Sequence, residues 1–378
     1  MMTPRRTVVR HAPGKLFVAG EYAVVDPGNP AILVAVDRHI TVTVSDTGTR
    51  SGSAGAAVVI SSDLGPGTVP WRWYEDRLVP CGADDDGRAR GAFAHVVSAI
   101  ETVGRLLTER GLSLPTLSVS VSSRLHDNGR KYGLGSSGAV TVATVAAVAS
   151  CCGLKLSADE RYRLAMLATA RIDPKASGGD LAASTWGGWI AYQAPDRAFV
   201  LDLARRIGVD RTLGAPWPGH SVRRLPPPDG LSLEVGWTGE PVSTAALVSD
   251  LHRRSWRGTA SHRRFVETTN GCVRAATAAL EAGDREGLLH QVRAAREELA
   301  RLDDEVGLGI FTPRLTRLCE AAEAVGGAAK PSGAGGGDCG IALLDAGASR
   351  DISHVRQRWA TAGVLPLPIR PALEGIEE

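Results

Sequence analysis

The six residues Gly133-Leu134-Gly135-Ser136-Ser137-Gly138, followed directly by AVTVATVAAVASCC, constrain this chain more than any other feature. The following stretch is apolar nearly all round. As a helix it has no face for water and must be buried. The glycine turn therefore opens a buried helix. Backbone N–H groups at such an N-terminus point outward with the positive end of the helix dipole, which suits phosphate. Glycine lets a bulky anion approach the main chain. Ser136 and Ser137 offer hydroxyls for phosphate oxygens or Mg²⁺. Lys131 supplies a compact cation just before the turn.

Two other phosphate motifs share part of this pattern, and neither fits. The spacing is formally G-x-G-x-x-G, but the dinucleotide fingerprint follows a strand directly and needs an acidic residue about 20 positions on, at the end of the next strand. Here about ten residues separate the turn from the strand pattern TLSVSVSS, and the nearest acidic residue, Asp159, opens a helix. A P-loop requires Lys and Ser/Thr after its last glycine. Ala139 and Val140 stand there instead.

The remaining sequence predicts an α+β chain rather than a regular βαβ alternation. VVRHAPGKLFVAGEYAVV reads as two strands around a Pro-Gly turn, with AILVAVD and RHITVTVSD following. Residues 46–56 are a small-residue loop, and Trp71, Trp73 and Tyr74 read as a strand packing on the core. Helical spacing covers 91–110. Ser157 and Glu160 form a capping box for the helix after them. Residues 194–230 are Pro-rich and break regular structure. They place the domain junction, giving units at 1–195 and 230–378 joined by a Pro-rich connection at 196–229. Helices follow at 243–256, 259–281, 284–302 and 312–325, the last with Thr312 as N-cap and Pro313 at its first position. GAAKPSGAGGGDCGIALL then reads strand, glycine loop, strand.

Composition narrows the function classes. With 43 Lys+Arg against 41 Asp+Glu, the chain has no footprint for nucleic acid or an anionic membrane. No apolar run reaches the ~20 residues of a membrane span, and MMTPRRTVVRHAPGK lacks the apolar core of a secretory signal. Six cysteines without a CxxC pair or zinc spacing point to packing residues in a reducing, cytoplasmic compartment. Only five of the cations are lysines, namely Lys15, Lys131, Lys155, Lys175 and Lys330. Three of them flank glycine-rich turns, where a point charge and a guanidinium fork are not equivalent.

Two further segments share those turns. One is His11-Ala12-Pro13-Gly14-Lys15 with Gly20-Glu21-Tyr22 close behind. The other is Lys330-Pro331-Ser332-Gly333-Ala334-Gly335-Gly336-Gly337-Asp338-Cys339-Gly340. Together with Gly133–Gly138, and in this order, they resemble the GHMP small-molecule kinase family over nearly the whole chain. The resemblance implies an N-terminal domain like ribosomal protein S5 domain 2, a ferredoxin-like C-terminal domain and an active site in the cleft between them, using ATP and Mg²⁺. Gly138 stands where mevalonate and homoserine kinases of the family usually carry alanine. With Gly236-Trp237-Thr238-Gly239 and Gly335–Gly340, it resembles the branch that phosphorylates (R)-5-phosphomevalonate in the bacterial mevalonate pathway. A mevalonate kinase, a diphosphomevalonate decarboxylase or a non-catalytic metabolite sensor on the same fold are the alternatives.

The resemblance also implies roles. Lys131, Gly133, Leu134, Gly135, Ser136, Ser137 and Gly138 are expected to cradle the ATP phosphates, with Ser137 on Mg²⁺. Lys15 and Asp180 are expected to be catalytic and to converge on the acceptor. Ser177, Gly178, Ser243, Ala334 and Gly335 are expected to complete the acceptor site. Related kinases carry a metal-binding glutamate some ten residues before the aspartate, and this chain has Arg171-Ile172-Asp173 in that region. Lys175 meets either the substrate carboxylate or solvent. No histidine is singled out. The partners expected are small molecules alone.

Overall fold

The computed structural model describes residues 6–48, 57–63, 67–82, 86–127, 129–242, 244–253 and 256–376. Ser243 and most of the 46–56 loop lie outside them.

Two sheets organise the chain. The larger is built on the strand Pro30–Asp46, which pairs along most of its length with Thr7–Ala19, from Thr7 opposite Ser45 to Ala19 opposite Ile32. Its other edge pairs with Trp189–Gln193 at one end and Leu117–Ser123 at the other. Ala31 to Val36 are all buried, because helices cover both faces there. Further along, Ile40, Val42 and Val44 are buried while Thr41, Thr43 and Ser45 are less so, the alternation of a one-sided face. The expected Pro-Gly turn is instead a bulge, a register shift between Pro13 and Gly14 within one strand. The continuous ladder with Pro30–Asp46 overrides the local turn preference.

Helix Ser136–Cys151 packs against both of these strands and against helices Asp86–Glu109, Ala158–Ile172 and Gly179–Trp186. This enclosure explains its apolar circumference. The Ser157 capping box is present in full. Trp71 is completely buried, while Tyr74, at the end of its strand, is exposed.

The smaller sheet is antiparallel, in the order Ala328–Pro331, Cys339–Asp345, Leu231–Trp237, Leu365–Leu367. Helix Arg285–Val306 packs on its edge strand Ala328–Pro331 and pairs with helix Ala260–Ala282, which lies against strand Pro30–Asp46 of the larger sheet. Thr312 caps helix Pro313–Glu323 with proline at its start.

The segment 196–229 corrects the expected Pro-rich connection. It holds helix Arg197–Ile207, capped by Asp196, helix Val209–Gly214, and strand Ser221–Leu225. That strand extends the first sheet by pairing with Trp189–Gln193. The prolines are confined to its turns, where a missing N–H costs no ladder bond. The chain end also returns: Ala372 N donates to Ala35 O at 2.9 Å. One continuous apolar core therefore includes residues of both halves.

Candidate active site

The bulge at Gly14 brings the first strand against the glycine turn. Lys15 N donates to Leu134 O at 2.8 Å, and a methyl on Gly14 would lie 2.7 Å from that oxygen. Gly135 caps the buried helix in the left-handed region (φ 77°), which glycine adopts without strain. A methyl there would meet Lys15 Cγ at 3.0 Å and Asp180 Cβ at 3.3 Å. Gly135 thus marks the point where Lys15, Asp180 and the helix N-terminus converge.

Asp180 sits in the first turn of helix Gly179–Trp186, whose cap, Gly178, is also left-handed. The loop before it is anchored by Tyr192, which donates to Ser177 O at 2.5 Å and shares a hydroxyl contact with Tyr162. The Asp180 carboxylate lies against Gly138: a methyl on Gly138 would fall 2.5 Å from Asp180 Oδ2. Alanine there must push the carboxylate aside. We expect Gly138→Ala to lower turnover by about 10- to 100-fold with the fold retained, measured by ADP release and by circular dichroism melting.

Lys15 is buried and lies 5.0 Å from the centre of the Phe17 ring. Burial lowers its pKa, opposed by the negative field of Asp180, then Asp338 and Glu21. Among the described residues no carboxylate pairs with it directly. Its amine is held in place by packing and by the field of these carboxylates, with no hydrogen-bond partner among the described residues. Lys131 is exposed at the cleft edge. The Ser136 and Ser137 hydroxyls make no hydrogen bond among the described residues.

The third segment is tied to the first strand. Ser332 Oγ accepts from Phe17 N at 2.8 Å and donates to Phe17 O at 3.1 Å. Tyr22 donates to Ala334 O at 2.5 Å. Lys330, fully buried, donates to Glu21 Oε1 and to Pro331 O. These bonds set Gly333 near the Lys15 ammonium, a methyl on it lying 3.9 Å from Nζ. Gly335 packs instead against Ile310. Asp173 closes helix Ala158–Ile172 and accepts from Lys175 N, and Lys175 is exposed.

Sequence reasoning missed two residues. Asp338 has φ 52°, accepts from Val242 N at 3.1 Å and packs onto Gly133, where a methyl would lie 2.4 Å from its Cβ. Burial raises its pKa, against the Val242 bond and the cations Lys15 and Lys131. His95 has Nδ1 3.4 Å from Thr141 Oγ1, whose hydroxyl donates to Ser137 O at 2.8 Å. Burial lowers the His95 pKa, opposed by Asp180 and reinforced by Lys131. Asp338 stood in a quoted motif as one acidic residue among glycines. His95 carries no sequence signal beyond its helix.

A glycine turn on a buried helix, a buried lysine and a carboxylate are gathered at one place, an arrangement of the kind that suits phosphate transfer in a small-molecule kinase. Residues 94–188 match the GHMP kinases N terminal domain and 276–361 the GHMP kinases C terminal domain. The chain is 79% identical to a phosphomevalonate kinase of Streptomyces sp. (strain CL190), over 100% of both chains. It belongs to the GHMP kinase family. Its fold matches the Lin0012 protein of Listeria innocua at TM-score 0.87 and 31% identity, covering 99% and 100% of the two chains. It matches Streptococcus pneumoniae phosphomevalonate kinase, solved with phosphomevalonate and AMPPNP, at TM-score 0.81 and 26% identity, covering 96% and 99%.

Proposed function

We propose that the chain transfers the γ-phosphoryl group of ATP to (R)-5-phosphomevalonate, giving 5-diphosphomevalonate and ADP. The observation that carries the mechanism is the convergence of Lys15 and Asp180 on Gly135. The full-length identity to the Streptomyces enzyme supports the choice of acceptor.

Phosphoryl transfer needs positioning and neutralisation of charge more than covalent help. The N–H groups of Gly133–Gly138, the Ser136 hydroxyl and Lys131 hold the ATP phosphates. Ser177, Gly178, Ala334 and the backbone of Gly335 supply the acceptor side between the units 1–195 and 230–378, and Ser243, outside the described residues, is assigned to it by the family resemblance alone. Mg²⁺ fits this donor set: the Ser137 hydroxyl is uncommitted, and Mg²⁺ takes one or two protein oxygens with phosphates and waters rather than a protein cage. When bound, it neutralises charge on the phosphates. The protein works in the cytoplasm, consistent with six cysteines that are all free and with no described helix long and apolar enough to cross a membrane.

The acceptor's chemistry sets the role of Asp180. A phosphate monoester has a second pKa of about 6 and is mostly a dianion at neutral pH. It scarcely needs a base. It needs Lys15, whose ammonium lies between the two anions, and Asp180 orients that ammonium. Asp180→Asn is therefore expected to lower kcat by a similar factor, about 10², at about pH 6 and about pH 8.5. A steep loss at the lower pH with little at the higher makes Asp180 a general base. ADP release with mevalonate, phosphomevalonate and diphosphomevalonate in parallel tests the activity. ADP with phosphomevalonate alone is expected. Turnover of diphosphomevalonate with release of CO₂ overturns the proposal.

A further inference from the structure

Away from this cleft, four arginines face one cavity of about 400 Å³. It lies where helices Asp86–Glu109, Ala158–Ile172, Arg197–Ile207 and Val209–Gly214 meet the strand Arg77–Pro80. Arg77, Arg105, Arg171 and Arg205 line it, over an apolar floor of Leu167, Leu201, Ala204 and Val209. Arg105 is ten residues along its helix from His95, about 15 Å at helical rise, so the cavity is separate from the phosphate turn.

The charges there do not balance internally. Arg105 pairs with Asp76, and Arg171 with Glu101 at 3.3 Å. The Arg105 Nε is buried without a hydrogen-bond partner. Arg77 has no partner among the described residues, and Arg205 reaches only Leu201 O, at 3.4 Å within its own helix. Glu109 also lines the cavity, but its carboxylate accepts from Val209 N at 2.9 Å and Asp210 N at 2.7 Å. It is committed to a helix N-terminus, where an anion is stabilised. Arg171 feels the crowding: burial, then Arg105, lowers its pKa, against Glu101 and Asp76. Two guanidiniums are left uncommitted above an apolar floor, in a volume ordinary for a small-molecule site.

We propose that this cavity is a second ligand site, for a phosphate monoester dianion carrying a compact apolar body. Arg77 and Arg205 hold the phosphate through paired N–H donors, as guanidiniums commonly do. The apolar body covers Leu167, Leu201, Ala204 and Val209. Neither arginine belongs to the ATP or acceptor machinery.

Titration calorimetry with n-pentyl phosphate and with inorganic phosphate tests this, on protein already saturated with AMPPNP and phosphomevalonate so that the active cleft is filled. Pentyl phosphate is expected to bind at least about tenfold tighter than inorganic phosphate, through burial of its chain. The double variant Arg77→Ala, Arg205→Ala is expected to weaken it about tenfold or more while leaving turnover unchanged. Should the double variant fail to fold, Arg205→Glu, at an exposed helix position, carries the same expectation. No binding up to about 10 mM, equal affinity for the two ligands, or an affinity indifferent to the substitutions each overturns the proposal.

Discussion

Replacing Lys15 by methionine is expected to reduce kcat for phosphomevalonate by about 10²–10³-fold, the loss seen when one preorganised charge is removed from a transition state. The reason lies in where the ammonium sits. It is buried against Phe17, faces Asp180, Asp338 and Glu21 without pairing to any of them, and lies beside the turn proposed to hold the ATP phosphates. Two anionic phosphates cannot approach there without it. Lys15→Arg separates charge from shape. The broader guanidinium must fit where Gly135 already approaches the Lys15 side chain closely enough that a methyl would lie 3.1 Å from Cε. A loss of about tenfold or more is expected in the coupled ADP assay. Full activity of the arginine variant would mean that charge alone suffices at this position.

Breaking the Glu21–Lys330 pair is expected to have the largest effect on stability. Both side chains are buried, and they join the turn just after the first strand to the third segment. Removing one partner strands the other charge in the core, which costs about 3–5 kcal/mol. Glu21→Gln and Lys330→Met should each lower the stability measured by urea unfolding by about that amount. The double variant Glu21→Leu, Lys330→Met should recover most of it, because no charge is then left buried. Additive losses in the double variant would show that the pair does not act as a unit.

This pair changes the meaning of the lysine pattern. Lys15 is buried beside the turn Gly133–Gly138, Lys131 is exposed just before that turn, and Lys155 and Lys175 are exposed. Lys330 shares the glycine-rich context, yet it stabilises the contact between the halves rather than facing the phosphates. A sequence neighbourhood shows that a lysine meets a close backbone approach. It does not show which group it meets.

The same division runs through the rest of the molecule. The sequence by itself determined the buried helix 136–151 and its glycine cap, the capping box at Ser157, the Thr312–Pro313 helix start and the two strands flanking the third segment. Each is a matter of local backbone chemistry: a periodicity, a cap, a residue able to take positive φ. Only the tertiary structure decided what is made across long stretches of chain. Pairing with Pro30–Asp46 turned a predicted Pro-Gly turn into a bulge. Pairing with Trp189–Gln193 drew a Pro-rich stretch into the first sheet. Folding set Asp338 against Gly133, His95 beside Thr141, and four separated arginines around one cavity. These residues look ordinary in sequence because their roles depend on burial and on partners that folding alone supplies.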